Sequence, residues 1–264
     1  MGQWLAGSVV FFVYVAILAL TLPRLPRRAR VLAAAGSVVG LLICGSAWSL
    51  PADGALTDVL TGWILPPALL LLGYWTSGLL FIAPMPKAER ALEAGDAALN
   101  VDRCAMAIPR WLAELLEVGY AGIYLLIPFA LIIHLATSAE PDGSRFWTVI
   151  LVTDYVCFAV LPWVQTRPPR AFRSVEPWIA RMRSFNLKLI GKTSIQVNTF
   201  PSGHAAEGLA ATLLVLDAPW PLTAYVALGA VLVSAGAVLG RYHYAADAIA
   251  GWFVAIGVWV SLGR

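Results

Sequence analysis

Apolar runs of about twenty residues recur along the whole chain, at about 7–22, 31–50, 60–83, 112–135, 146–165, 203–219, 221–240 and 244–262. Crossing about 30 Å of hydrocarbon takes about 20 helical residues. Only 12% of the 264 residues are charged, against about a quarter in a typical soluble domain. The pattern predicts an all-α, polytopic membrane helix bundle of about eight transmembrane helices, or six or seven if one segment is re-entrant.

Two long polar connections divide the chain. Residues 84–111 are mixed in charge and predict a helix at the membrane interface. Residues 166–200 are basic, and the spacing of Trp178, Met182, Phe185 and Leu189 predicts an amphipathic helix on the membrane surface. We therefore expect one membrane domain, with N-terminal spans over 1–83, an interfacial segment over 84–111 and a catalytic core over 112–264.

The positive charges gather on one side of the predicted bundle. With eight spans, connections on one side hold 16 of the 18 Lys and Arg residues, and only Arg145 and Arg264 fall on the other. Cytoplasmic connections are enriched in Lys and Arg. We expect a multi-pass protein of the plasma or inner membrane, with its basic side in the cytoplasm and the opposite orientation kept open.

Three short stretches on the basic side stand out where spans begin or end. They are "RPPR" at 167–170, "FPSGH" at 200–204 and "RYHYAAD" at 241–247. Ser202 is a favoured residue to open a helix, and Gly203 lets a ligand approach the backbone. A helix N-terminus suits an anion. Arg167 and Arg170 add donors that match phosphate oxygens.

The histidines supply the reactive groups of the same region. His243 and Asp247 are four residues apart, so they share a helix face, and the carboxylate can fix one tautomer of the imidazole. His204 supplies a second imidazole. An anion site, an oriented histidine and a proton donor are what displacement at phosphorus through a phosphohistidine intermediate needs.

These motifs resemble the type 2 phosphatidic acid phosphatase (PAP2) superfamily of membrane lipid phosphatases and phosphotransferases. The resemblance covers about residues 110–255. It implies that His243 is the nucleophile, that Asp247 is its partner and that His204 is the general acid. It also implies that Ser202 and Arg167 bind the phosphate.

Two positions depart from the common family pattern. Val160 stands where the first motif has a lysine, and Ala237 where the third has an arginine, while Arg241 lies two residues before His243 and is a further candidate to bind the phosphate. This looser pattern, with "PRWLAELLEVGYAGIYLLIP" at 109–128, resembles the branch of inositolphosphorylceramide synthases and sphingomyelin synthases. We expect a lipid phosphate substrate, membrane lipids as surroundings, no nucleic acid, and no cofactor or metal.

Other functions stay open from the sequence alone. Two histidines and an aspartate could form the facial triad of a metal-dependent membrane hydrolase. A non-catalytic transporter would also have many spans and a broken helix entry. Glu207 follows His204 by three residues, and Asp154 lies within the fifth span. The sequence assigns neither acid a partner. It leaves the lipid, the acceptor and the oligomeric state undetermined.

Overall fold

The computed structural model describes residues 3–51, 54–138, 142–172 and 177–262, and within these ranges the regular secondary structure is helical. The α-helices are, in chain order, α1 (Gln3–Thr21), α2 (Arg27–Trp48), α3 (Ala55–Val59), α4 (Leu65–Gly78), α5 (Pro86–Ala98), α6 (Val101–Ala107), α7 (Arg110–Ala121), α8 (Ile123–Thr137), α9 (Gly143–Val160), α10 (Arg181–Thr193), α11 (Gly203–Leu214), α12 (Trp220–Leu239) and α13 (Ala245–Leu262). A π-helical turn, Leu60–Ile64, joins α3 to α4.

The prediction of a polytopic helical membrane bundle is confirmed, with fewer full-length spans than the eight indicated by the sequence. Among the described residues, six helices are long and apolar enough to cross a membrane: α1, α2, the continuous Ala55–Gly78 helix, α9, α12 and α13. The predicted fourth span is the pair α7 and α8, bent by 63°, which makes a seventh span if counted as one. The predicted sixth span is α11, which has only 12 residues and is about 18 Å long.

The short helix α11 lies at the centre of the bundle. It packs against α8, α9, α12 and α13. Its buried face consists mainly of small residues, among them Ala205, Ala206, Ala210 and Ala211. Small side chains let neighbouring helices approach closely. A Cβ added to Gly208 would lie 3.3 Å from the Cα of Ala230 in α12, so this contact depends on glycine.

The N-terminal helices pack on the same core. Helix α1 packs against α2, α4 and α9, and their buried apolar residues join those of α8 and α11 in one cluster. Phe11 stacks on Tyr155 of α9 with ring centroids 4.3 Å apart. Helix α4 packs directly against α9. The predicted boundary between N-terminal spans and catalytic core therefore crosses a continuous hydrophobic cluster.

The polar connections form helices beside the bundle. Residues 84–111 contain α5 and α6, which are separated at Asn100, where φ is 53°. The predicted amphipathic helix is present as α10, but it begins at Arg181, so Trp178 lies before it. Helix α10 packs on α7, and α5 packs on α13. The first connection therefore lies against α13, at whose start one motif stands, and the second lies against α7.

Candidate active site

His243 lies in the short connection between α12 and α13, and Asp247 lies in the first turn of α13. The Nδ1 atom of His243 is 3.3 Å from Oδ2 of Asp247, and both side chains are buried. The backbone N–H of Tyr244 donates to the same Oδ2 at 2.8 Å. Asp247 is thus held by the backbone at the start of its helix while it contacts the imidazole.

This contact determines which nitrogen of His243 is available. A carboxylate accepts a hydrogen bond from a protonated Nδ1, which leaves the lone pair of a neutral imidazole on Nε2. The backbone N–H of His243 donates to the carbonyl of Ala237 at 2.9 Å. The ring and its backbone are therefore both held. The other carboxylate oxygen of Asp247 is buried and has no hydrogen-bond partner within the described ranges.

The "PSGH" stretch begins α11 beside this loop. Ser202 precedes the helix, and its side chain accepts from the backbone N–H of Ala205 at 3.4 Å. The N–H of Ser202 donates to the carbonyl of Asp247 at 2.9 Å. This bond joins the start of α11 to the start of α13. A Cβ added to Gly203 would lie 2.8 Å from Oδ1 of Asp154, so the glycine is required by packing on the side of α9.

His204 faces the loop that carries His243. The two imidazole ring centroids are 6.5 Å apart. Tyr120 and Tyr124 contact the ring of His204 edge-on, with centroids 5.6 Å and 5.9 Å away. Both tyrosines therefore pack against the second histidine of the site.

A small cavity brings the two histidines together with Arg170. It is lined by Tyr74, Tyr120, Tyr124, Arg170, Ile190, Thr193, Ser194, Val197, Thr199, His204, Tyr242 and His243. The Nη1 of Arg170 donates to the carbonyl of Tyr242 at 3.3 Å. Burial lowers the pKa of the Arg170 guanidinium, although an arginine remains protonated in such surroundings. The cavity therefore has a fixed positive charge beside two imidazoles.

Arg167 takes a different position from the one the sequence suggested. Its Nε and Nη2 each donate to a different oxygen of Glu89 in α5 at 3.0 Å, and its backbone N–H also donates to Glu89. These hydrogen bonds lower the pKa of the Glu89 carboxyl below its usual value. The side chain is 44% exposed and is not among the residues that line the cavity. Of the two arginines in "RPPR", Arg170 is the one beside the histidines.

The side chain of Arg241 also pairs with an acid outside the cavity. Its Nη2 forms an ion pair with Oδ1 of Asp102 in α6 at 3.1 Å. Its backbone has a φ of 60°, a region that non-glycine residues seldom occupy. The carbonyl of Arg241 accepts from the N–H of Arg170 at 3.1 Å. Arg241 thus contributes to the shape of the loop and holds the segment that carries Arg170.

A larger cavity of about 630 Å³ adjoins the smaller one. The two cavities share five lining residues: Tyr74, Tyr124, Thr193, Thr199 and His204. Its other walls come mainly from apolar residues of α4, α8 and α9. It also contains two acids, Asp154 and Glu207. A polar site and an apolar chamber therefore meet at His204.

A family model described as the PAP2 superfamily matches residues 87–261. The matched region contains all three motifs and two thirds of the chain. The chain belongs to the PAP2 superfamily. No curated protein and no solved structure matches it. Membership in this family supports a phosphatase-type activity.

A buried polar cluster that the motifs did not predict lies beside the candidate site. Glu117 of α7 accepts from Trp178 at 2.9 Å, from Arg183 at 3.0 Å, and from Asn186 and Tyr242 at 2.7 Å. Tyr242 precedes His243, and its ring stacks on Tyr120 at 4.2 Å. Glu117 thus pairs with Arg183 of the basic connection. Its contact with Tyr242 had no signal in the sequence.

Metal ligation was the main alternative for the histidines. Throughout the described ranges, no three His, Cys, Asp or Glu side chains form a group that could hold one metal ion. Asp247 uses its Oδ2 for Tyr244 and His243, and Arg170 contributes a positive charge to the same cavity. The donor set fits an anion better than a cation.

Proposed function

We propose that this PAP2 protein is a lipid phosphate phosphatase or phosphotransferase that acts through a phosphohistidine intermediate on His243. One observation carries the proposal: Asp247 holds Nδ1 of His243, and this imidazole shares a cavity with His204 and Arg170. The remaining nitrogen, Nε2, is then free to attack phosphorus. The substrate is a phospholipid or prenyl phosphate head group.

The first step forms a bond between Nε2 of His243 and phosphorus while the bond from phosphorus to the lipid oxygen breaks. Asp247 stabilises the imidazolium character that develops on His243. His204 gives its proton to the departing lipid oxygen, because an alkoxide is a poor leaving group without one. Water or an alcohol then attacks the phosphohistidine, and His204 takes up the proton of that nucleophile.

The negative charge of the phosphoryl oxygens is met by two features. Arg170 is the nearest fixed positive charge among the residues that line the cavity, and it can donate two parallel hydrogen bonds to a phosphate. The N-terminus of α11, opened by Ser202 and Gly203, adds backbone N–H groups and the positive end of the helix dipole. Arg167 and Arg241 do not contact the phosphate in this proposal, because their side chains pair with Glu89 and Asp102.

The adjoining apolar chamber favours a lipid as the substrate. A cavity of about 630 Å³ falls within the range of small-molecule sites, roughly 300–1,000 Å³. Its aromatic and aliphatic walls suit hydrocarbon, while the phosphate stays beside Arg170. The looser motif pattern leads us to place the protein with the phospho-head-group transferases of the family, in the plasma or inner membrane with its site toward the cytoplasm.

Trapping the intermediate tests this function. The purified full chain in lipid nanodiscs is mixed with ³²P-labelled phosphatidate or prenyl phosphate, and acid-labile label on the protein is measured at short times. Wild-type protein is expected to carry the label, and His243→Ala is expected to carry none.

His134→Asn is the matched control, because the third histidine of the chain lies at the far end of α8 and bonds the carbonyl of Leu214. It is expected to label like the wild type. Label that persists in a folded His243→Ala protein, or no turnover of any lipid phosphate by folded wild type, would overturn the proposal.

A further inference from the structure

Two acids in the larger cavity take no part in the phosphoryl-transfer step described above. Asp154, in α9, is 1% exposed, and its Oδ2 has no hydrogen-bond partner among the described residues. Glu207, in α11, lines the same cavity. A buried carboxyl oxygen without a partner costs folding free energy, so Asp154 calls for a ligand that forms a hydrogen bond with it.

The acids lie next to the reaction centre. Oδ1 of Asp154 is 2.8 Å from the point where a Cβ on Gly203 would be, which places it at the first turn of α11. Glu207 is three residues after His204 and thus about 4.5 Å further along the helix axis. His204 lines both cavities. A donor group held by these acids would therefore lie within about one helical turn of the proton-transferring histidine.

The rest of the cavity is suited to hydrocarbon. Its apolar lining includes Trp63, Leu70, Leu71, Trp75, Ile127 and Phe158. A ligand for this chamber therefore has one polar end and a long apolar part. A hydroxyl group suits the polar end, because it can donate a hydrogen bond to a carboxyl oxygen and can also accept one.

We infer that this cavity binds the acceptor of the transfer reaction, a lipid alcohol, with its hydroxyl group on Asp154 and Glu207 and its hydrocarbon along the apolar walls. The inference rests on the phosphohistidine function proposed above and gives it a second substrate. A hydroxyl donates to a carboxylate without bringing another charge into the cavity. An ammonium group would approach the fixed positive charge of Arg170 in the adjoining cavity.

The transfer step balances with groups already present. The O–H bond of the lipid alcohol breaks, and its oxygen forms a bond to the phosphorus on His243. The bond between phosphorus and Nε2 breaks, and its electron pair returns to the imidazole. The proton goes to His204, which had lost its own proton to the first leaving group. The products are a phosphorylated lipid alcohol and free enzyme.

Binding is tested first, without turnover. A hexadecanol that carries a photoactivatable diazirine in its chain is cross-linked to wild-type protein in nanodiscs, in competition with hexadecanol, its methyl ether or hexadecylamine. Hexadecanol is expected to compete about tenfold or more better than the ether, which cannot donate a hydrogen bond. Equal competition by the ether, or stronger competition by the amine, would overturn the assignment.

Partition of the intermediate is tested next. Wild-type protein with labelled phosphatidate and hexadecanol is expected to form hexadecyl phosphate. Glu207→Gln and Asp154→Asn, which keep the side-chain shape, are expected to lower the ratio of transfer to hydrolysis by about tenfold or more. Asp217→Asn removes an exposed acid just beyond α11 and should keep the wild-type ratio.

The outcomes separate the two proposals. If His243 carries no phosphate in a folded protein, the phosphohistidine function fails, whatever the cross-linking shows. If His243 is phosphorylated but the ratio of transfer to hydrolysis is unchanged in the two acid variants, the acceptor site is wrong. If an acid variant fails to fold, the competition between hexadecanol and its ether on wild-type protein still decides.

Discussion

At the residue scale, the site depends on which partner each charged side chain has already taken. The motifs alone predicted three arginines near a phosphate. In the structure, however, Arg167 forms an ion pair with Glu89, and Arg241 forms one with Asp102. Arg170 instead lines the cavity with both histidines. Sequence spacing could place all three in one region, but ion pairs with α5 and α6 depend on packing that spacing does not encode.

Asp247→Asn tests the orientation of His243. An asparagine oxygen can still accept from the N–H of Tyr244, so the start of α13 should be kept. It does not stabilise a charged imidazole, and its NH₂ group favours the wrong tautomer. We expect kcat to fall by roughly two to four orders of magnitude with little change in KM. Steady-state kinetics on a lipid phosphate measure this, and a kcat near that of the wild type would contradict it.

Arg170→Lys tests the phosphate contact. A lysine keeps the charge but loses the paired donors of the guanidinium, so kcat/KM should fall about 10²-fold, as for loss of one donor to a developing oxyanion. Arg167→Lys is the matched control from the same motif, and a smaller loss is expected because that side chain bonds Glu89. A larger loss of kcat/KM in Arg167→Lys than in Arg170→Lys would instead assign the phosphate contact to Arg167, as the motif alone suggests.

At the element scale, α7, α10 and the loop that carries His243 are joined by one buried carboxylate. Glu117 is fully buried and accepts from Trp178, Arg183, Asn186 and Tyr242. The sequence predicted α10 from its apolar spacing. It could not predict that the polar face of α10 turns toward α7, because this depends on where Glu117 lies in the folded bundle.

Glu117→Gln should therefore loosen three elements together. The change removes the charge that pairs with the buried Arg183, and breaking such a pair costs about 3–5 kcal/mol. We expect a lower thermal unfolding temperature and faster hydrogen exchange in α10 and in residues 240–244. A double variant, Glu117→Gln with Arg183→Met, should recover part of the loss, since both charges of the buried pair are then removed. An unfolding temperature equal to that of the wild type in Glu117→Gln would refute this role.

The ion pair between Glu89 and Arg167 joins α5 to the segment that follows α9. Hydrogen bonds from Arg167 lower the pKa of the Glu89 carboxyl in the folded protein. A carboxyl with a lowered folded pKa adds stability above its unfolded pKa, and this contribution is lost as the pH falls through the folded pKa. Glu89→Gln should thus be less stable than the wild type at pH 7, and the gap should close below about pH 4. A gap in unfolding temperature that does not change with pH would contradict this.

At the scale of the whole molecule, the apolar runs predicted a helical bundle, and the motifs predicted that His204, His243 and Asp247 converge. The length of α11 was not predictable, because Val215 and Leu216 extend the apolar run although the helix ends at Leu214. Leu214, at the end of α11, contacts His134 near the end of α8. The start of α11 is therefore about 18 Å away along the helix, less than the roughly 30 Å thickness of a bilayer core.

The orientation of the whole bundle is the last prediction. Positive charge gathers around the site, and from this distribution we expect the site on the cytoplasmic side. Lys188 is exposed on α10 near the site, and Asp217 is exposed beyond the far end of α11. Cys104 is exposed and is first replaced by serine, while Cys44 and Cys157 are buried. In that background, Lys188→Cys should react with an impermeant maleimide in inside-out vesicles only.

Asp217→Cys is the reciprocal control and should react in right-side-out vesicles only. The opposite result for both positions would place the site on the outer face. The arginines of this side would then oppose the usual charge asymmetry of membrane proteins. Phosphate binding and the ion pairs with Glu89 and Asp102 would explain their positions instead. Labelling of both positions from one side would instead contradict the path of α11 across the bundle.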